Sequence, residues 1–240
     1  MKIFKLTIMF FCILTINATT FPEFLENQEK GPYYYDHQKR YVETHRFVKS
    51  SGIFDIVSGK KILELGSGSP ILSYFKSQGA DTSEYTAELR DSIALGSEQF
   101  DAILLLEVFE HLKDIEGPSS HNATQCFTGP KHLLKEIHRL LKPGGVVILT
   151  TPNASSLAVL HSVFMREPPY NYHPHPREYT KKEVLDLVRE KGFEEVSSQI
   201  IDVWNLKPEA SRTRLLEAIT SYGGDISERG DDMMFIFRKI

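Results

Sequence analysis

A single α/β domain built on a mostly parallel sheet is what this sequence predicts, and three observations predict it. Lys61-Ile62-Leu63-Glu64-Leu65 is a short apolar run that ends on an acid and passes into Gly66-Ser67-Gly68, where a helical pattern begins at once. Gln99 to Glu107 and Val146 to Thr151 are further apolar runs, of the length of strands buried on both faces. Between them Leu133, Leu134, Ile137 and Leu140 mark one face of an amphipathic helix. Strands and helices alternating in this way cover both faces of a parallel sheet, and ligands bind such sheets outside the carboxyl ends of the strands.

The chain has 240 residues, 41% apolar and 25% charged, enough to bury one ordinary core. Its formal net charge of −4 and the lack of a basic tract exclude nucleic acid as an expected partner. Met1 to Lys5 is a short basic start, Leu6 to Ile16 is almost wholly apolar, and Asn17 to Thr20 is small and polar. That is the layout of a secretory signal, cleaved or kept as a membrane anchor, and it implies a secretory address; the alternatives are a buried N-terminal segment and a cytoplasmic protein. The run is too short to span a bilayer comfortably. Of the two cysteines, Cys12 lies in that run, so a processed chain would keep only Cys126 and no internal disulfide. Asn122-Ala123-Thr124 and Asn153-Ala154-Ser155 fit the glycosylation triplet.

Taken in order, residues 21–52 read as an arm and a cap helix, and residues 53–240 as the domain. Phe21 to Pro32 is polar and bounded by proline, the composition of a linker. Tyr33-Tyr34-Tyr35 leads into a helix from Gln38 to Ser50, with Tyr41, Val42, His45 and Val48 on its packing face. Lys61 to Leu65 is the first strand, and Ile71 to Ser77 the following helix, ended at Gly79. A second strand is expected within Ala80 to Leu89. Asp114 to Pro130 is polar and turn-rich, a candidate lid. The helix from Lys131 to Leu141 stops at Lys142-Pro143-Gly144-Gly145. Ala154 to Arg166 is helical in pattern, whereas the proline density of Glu167 to Arg177 excludes regular helix. Thr180 with Glu183 forms a capping box that starts a helix closing on Gly192. A strand from Phe193 to Trp204, a helix from Leu206 to Tyr222 and a strand from Met233 to Arg238 complete the chain.

At Glu64-Leu65-Gly66-Ser67-Gly68-Ser69, Phe100-Asp101-Ala102-Ile103-Leu104, Glu107-Val108-Phe109-Glu110-His111 and Leu141-Lys142-Pro143-Gly144-Gly145 the chain resembles the class I S-adenosylmethionine-dependent methyltransferases, in particular the small-molecule group called type 11. Thr151-Pro152-Asn153 and Arg177-Glu178-Tyr179-Thr180 match the same group. The resemblance implies a Rossmann-like methyltransferase fold whose last strand is antiparallel, and S-adenosylmethionine as cofactor. It implies methyl transfer to a small-molecule, lipid or glycan acceptor. The gap from Gly68 to Phe100 is too short for the usual second strand, helix and third strand, so the sheet is expected to be trimmed after its second strand. A trimmed sheet leaves open a second possibility, a non-catalytic module that keeps the fold as a binding surface.

The residues support that cofactor. A dinucleotide fingerprint wants a third glycine where Ile71 stands, which disfavours NAD. Glu64 can attract a cationic group, and the amides near Gly66, Ser67 and Gly68 can hold a carboxylate. The resemblance places the acid for the ribose hydroxyls at Glu84 or Glu88, puts Asp91 near the adenine, and sets Glu107 beside the cofactor. His111 is the candidate general base, with Glu107 at its side; alternatively Glu110 and His111 only hold the local turn. His173, His175, Arg177 and Tyr179, with Tyr170 and Tyr172 nearby, form the candidate acceptor rim, or a well-packed loop. No metal site is expected, because His173-Pro174-His175 lacks a four-ligand set.

Overall fold

The computed structural model describes residues 19–28, 34–53, 57–115, 128–204 and 209–240. The N-terminal apolar run, Tyr33, the centre of the expected lid, Cys126 and Asn122 lie outside the described residues. No helix among the described residues is long and apolar enough to cross a membrane.

Six strands form one sheet: β1 (Lys61–Leu65), β2 (Asp81–Tyr85), β3 (Phe100–Leu106), β4 (Leu141–Pro152), β5 (Phe193–Ile201) and β6 (Asp232–Lys239), in the order β2-β1-β3-β4-β6-β5. β1 pairs in parallel with both β2 and β3, and β3 with β4. β6 runs antiparallel to both β4 and β5, so it alone is reversed. The helices are α1 (Phe21–Glu26), α2 (Tyr34–Ser50), α3 (Pro70–Ser77), α4 (Thr128–Leu140), α5 (Leu157–Phe164), α6 (Lys181–Glu190) and α7 (Glu209–Tyr222).

The two-residue period of the strands divides the core between the two faces of the sheet. Leu63, Leu65, Ile103, Leu105, Val147, Leu149, Phe235 and Phe237 meet Leu133, Ile137 and Leu140 of α4 and Val184 and Val188 of α6. Ile62, Ala102, Leu104, Ile148, Met234 and Ile236 meet Phe21 and Leu25 of α1, Phe47 and Val48 of α2, and Ile71, Leu72 and Phe75 of α3. Phe21 to Glu26 is therefore not the linker its composition suggests. Thr20 and Glu23 make a capping box, Pro22 occupies the first turn where its missing N–H costs nothing, and Phe21 stacks on His45 at 4.4 Å.

The sheet is trimmed as expected: no helix or strand intervenes between β2 and β3. What replaces them is a loop tied to α4. Leu89 and Ile93 are buried in the core, Arg139 donates to the carbonyls of Ile93 and Leu95 at 2.8 Å each, and Glu136 accepts from the Ile93 amide at 2.9 Å. The shortened segment is thus anchored by apolar plugs and charge-assisted hydrogen bonds.

Two of the boundaries that differ from the sequence expectation flank α4. Thr128-Gly129-Pro130 belongs to α4 rather than to the expected lid, and Thr128 closes the neck of that segment by accepting from the Ile115 amide at 2.8 Å. The strand after α4 begins at Leu141, pairs with Phe100, and resumes in register at Val146 beside Ala102 after an irregularity, with Gly144 at φ 72°.

Candidate active site

The carboxyl ends of β1, β3 and β4 open onto one crevice, and the reversed β6 brings its first residues there as well, since Asp232 pairs with Pro152. Each functional side chain is placed by one of these strand ends.

On the β1 side, Glu64 is the penultimate strand residue and lies buried. Its carboxylate accepts from the Ser69 amide at 3.0 Å and the Ser69 hydroxyl at 2.9 Å. Burial pushes its carboxyl up to about 7, despite those bonds. Gly66 sits at φ 114°, a conformation that suits only glycine, and a Cβ there would lie 3.0 Å from a Val108 methyl. Glu84 pairs in register with Glu64 at the end of β2 and accepts from the Gly68 amide at 3.1 Å. Glu88, the other candidate for the ribose, is engaged instead in a two-pronged pair with Arg90 at 2.9 Å. The structure therefore turns Glu84, not Glu88, toward the glycine turn. Ser67 and Asp91 are exposed, Asp91 on the anchored loop rather than on a regular element.

On the β3 side, Glu107 follows the strand at φ 54°, an unusual conformation for a side-chain-bearing residue, and Thr150 donates to its carboxylate at 2.7 Å. A short 3₁₀ turn, Phe109–His111, buries Glu110 completely. The Thr151 hydroxyl donates to Glu110 Oε2 at 2.9 Å, while Oε1 has no hydrogen-bond partner among the described residues. Burial, with the neighbouring Glu107 charge second, raises the Glu110 carboxyl well above the usual range. His111 is half exposed, and burial together with the adjacent His175 lowers its pKa, so the ring is neutral near pH 7 and able to accept a proton.

The proline-rich loop divides its expected rim residues. His175 turns inward, its side chain 7% exposed, and meets the His111 ring edge-on at 4.7 Å. His173 stays exposed, edge-on to Tyr170 at 5.9 Å. Arg177 pairs with Glu183 on α6 and borders a cavity of about 370 Å³ with Leu112, Lys113 and Asp114. Tyr179 lines the same cavity but from the core side: it is 1% exposed, packs on Phe109 at 4.9 Å and forms a backbone bridge with Asn153.

Sequence reasoning missed three residues. Arg40 on α2 is buried over the crevice; its Nη2 meets His37 Nδ1 at 3.3 Å, but Nε and Nη1 have no hydrogen-bond partner among the described residues. Its charge lowers the carboxyls of Glu64, Glu110 and Asp232 against their burial. Asp232 is fully buried with both carboxylate oxygens unpartnered among the described residues, and burial followed by the Glu107 charge raises it well above the usual range. Asp231 is pushed up to about 6 by burial while accepting from the Val203 amide at 2.7 Å. A signal for Arg40 existed: Arg40, Thr44, Phe47 and Val48 form the buried stripe of α2, which shares Val48 with the face expected at Tyr41, Val42, His45 and Val48 but is turned one step round from the other three.

These orphaned groups test the implied cofactor. Its aminoacyl end carries a carboxylate, for which Arg40 Nε and Nη1 are free donors, and an ammonium beside a sulfonium, for which Asp232 and Glu64 are buried acceptors. Glu84 is an acceptor for a vicinal diol at the other end. The residues present fit the group.

A family model described as a methyltransferase domain matches residues 35–198, more than half of the chain. A ubiquinone biosynthesis O-methyltransferase of Ruegeria pomeroyi is 29% identical over 168 residues, covering 58% of this chain and 62% of that one. Its counterpart in Cereibacter sphaeroides is 28% identical over 132 residues, covering 53% of this chain and 47% of that protein. The chain thus spans only about half to three fifths of the length of these relatives. Among solved structures, a methyltransferase of Archaeoglobus fulgidus superposes with a TM-score of 0.55 at 15% identity, covering 87% of this chain and all of that one, 100%. One of Mesorhizobium loti gives 0.51 at 13% identity, covering 84% and 98%. Those two likenesses concern the fold. The chain belongs to the methyltransferase-domain family.

Proposed function

We propose that this chain transfers a methyl group from S-adenosylmethionine to a hydroxyl oxygen of a small-molecule acceptor. The observation that carries the proposal is the set of buried polar atoms at the carboxyl edge of the sheet that lack hydrogen-bond partners among the described residues: Arg40 Nε and Nη1, both oxygens of Asp232, and Glu110 Oε1. Buried polar groups without partners are costly, and a crevice that concentrates them is built to receive a polar ligand. The choice of oxygen as the nucleophile is supported by the curated relatives, which are named O-methyltransferases.

When bound, the cofactor supplies an electrophilic methyl group on a positively charged sulfur. Arg40 would hold its carboxylate, Glu64 and Asp232 its cationic part, the amides of the Gly66–Gly68 turn its backbone-like end, and Glu84 its ribose. The chain's own contribution to rate is position, since nucleophile, methyl carbon and leaving sulfur must stand in line. The acceptor would lie on the His111 and His175 side, where His111, neutral and half exposed, would take the hydroxyl proton.

Calorimetric titration with S-adenosylmethionine is the test. Saturable binding that Glu64→Ala weakens at least tenfold is expected; no heat at millimolar cofactor overturns the proposal. A second reading, a non-catalytic binding module, is favoured by the strand and helix lost between β2 and β3. It predicts cofactor binding without turnover on any hydroxylated acceptor, lipid and glycan acceptors included.

A further inference from the structure

We infer that Trp204, fixed by Asp231, is a positioning residue: it holds the Arg40 guanidinium so that its unused donors meet the carboxylate of the bound cofactor. The role assigned to Trp204 rests on the S-adenosylmethionine reading given above. A buried arginine ordinarily takes a carboxylate partner, because an unpaired charge away from water is costly. Arg40 is 4% exposed, yet none of its hydrogen bonds among the described residues goes to a carboxylate. Aromatic rings take that place. Its Cζ lies 4.4 Å from the centre of the Tyr41 ring and 5.7 Å from that of Trp204, both within the range of cation–π attraction. His37 stands edge-on to Trp204 at 4.9 Å and meets Arg40 Nη2 through Nδ1 at 3.3 Å. A guanidinium only donates, so Nδ1 accepts and the ring proton of His37 sits on Nε2.

Holding an arginine by its face has a consequence for its edge. The N–H donors lie in the plane of the guanidinium, and a ring against that plane consumes none of them. Nε and Nη1 of Arg40 are accordingly buried without hydrogen-bond partners among the described residues. A pair with a protein carboxylate would have to break before a ligand carboxylate could bind. The aromatic hold does not, so the arginine is ordered in advance and its donors are still available, which lowers the cost of binding.

Trp204 is fixed in turn by the residue that precedes β6. Asp231, 2% exposed, accepts from the Val203 amide at 2.7 Å and from the Trp204 amide at 3.3 Å. Gly230 before it lies so close to the end of β5 that a Cβ there would stand 2.3 Å from the Ile201 carbonyl carbon. Glycine lets the two segments approach closely enough for Asp231 to reach the turn that carries Trp204. The next residue, Asp232, opens β6 and has both carboxylate oxygens without hydrogen-bond partners among the described residues. The two adjacent acids thus have separate tasks. Asp231 fixes the backbone beneath the tryptophan, and Asp232 stays available to the crevice. Arg40 comes from α2 and Trp204 from the end of β5, so this hold exists only in the folded chain.

The full chain is titrated calorimetrically with S-adenosylhomocysteine, which carries the aminoacyl carboxylate, and with methylthioadenosine, which lacks it. Trp204→Leu is expected to weaken S-adenosylhomocysteine about tenfold and to leave methylthioadenosine within about twofold. Trp204→Phe, which restores a ring face, is expected to recover most of that loss. Asp231→Ala, which frees the turn, is expected to repeat the selective loss. In an Arg40→Ala background Trp204→Leu is expected to add nothing further, since the ring acts through the arginine. Equal loss of both nucleosides in Trp204→Leu, or a second loss of about tenfold in the double variant, would show a merely structural tryptophan and overturn the proposal. Unchanged affinity for both nucleosides in Trp204→Leu overturns it as well. If the wild-type protein binds neither nucleoside, the methyl-transfer reading fails and the role of Trp204 falls with it. Wild-type binding of both, with Trp204→Leu insensitive, defeats the role of Trp204 alone.

Discussion

Glu84 and His175 stand at the two ends of one crevice and are held in opposite ways. Glu84 sits on an edge strand of five residues, exposed, and its described hydrogen bond is the one from the Gly68 amide. His175 lies on a loop with no regular structure, its side chain largely covered, yet it is gripped by Glu178, which three other donors fix in turn. The regular element carries the adjustable residue and the irregular loop the rigid one. Precision in this crevice therefore follows the hydrogen bonds behind a side chain and not the secondary structure beneath it. The Glu84 end is thin-walled and able to adapt, whereas the His175 end is set before anything binds.

The largest effect expected to sharpen this contrast is a pH dependence at the junction of the two ends. Burial holds the Glu64 carboxyl at about 7 against an ordinary value of 4.5. The folded chain therefore keeps a proton that the unfolded chain has already lost. Its stability is full below about pH 4.5 and declines as pH rises through about 7, by roughly 3 kcal/mol from this group. Denaturant titrations at about pH 5 and pH 8 should show the wild-type protein losing roughly that much more than Glu64→Gln. Equal slopes would place Glu64 in a solvated site.

Next comes Glu84→Ala, expected to weaken S-adenosylmethionine about thirtyfold, or ~2 kcal/mol, while the melting temperature stays within a few degrees. If affinity holds, the thin wall does not grip the ribose, and the contrast fails at its weaker end. Gly68→Ala is a gentler probe of the same contact. A Cβ at that position would lie 2.3 Å from a Glu84 carboxylate oxygen, and the flexible acid swings away at little cost to folding. About a tenfold loss of cofactor affinity is expected, read by the same titration, with stability unchanged. At the rigid end the order reverses. Thr180→Ala removes the capping box that starts α6 just after the acceptor loop, and thermal unfolding should report a loss of ~1 kcal/mol with cofactor affinity unaltered. An affinity loss there would show that the two ends are coupled.

How much of this was legible beforehand follows from the range of the interactions. Glu64 and the glycine turn were readable because they belong to one strand–turn–helix unit, whose spacing along the chain fixes their spacing in space; the acid of the next strand was readable only as Glu84 or Glu88. The capping box of Thr180 and Glu183 and the stop at Gly192 were readable for the same reason. The helix Phe21–Glu26 was not, since its six residues are too few for periodicity and its stability comes from burying Phe21 and Leu25 against distant partners. Tyr179 looked like a binding residue because its loop is polar, and only packing on Phe109 revealed it as core.

By itself the sequence determined the architecture: which runs become strands, that the sheet loses a strand after the second, and that its carboxyl edge carries a glycine turn beside an acid. Alternation of apolar residues and local turn chemistry are written in neighbouring positions, and neighbours are visible in one dimension. Only the tertiary structure decided which charges share the crevice. Arg40 reaches it from a helix that precedes the sheet, Asp232 from a strand that runs backward, and His175 by way of a glutamate three residues along. Burial leaves their polar atoms without water and, for Arg40, Asp232 and Glu110, without partners among the described residues. That shortage is set by folding as a whole, because desolvation depends on everything packed around a group and not on the residues beside it in the chain.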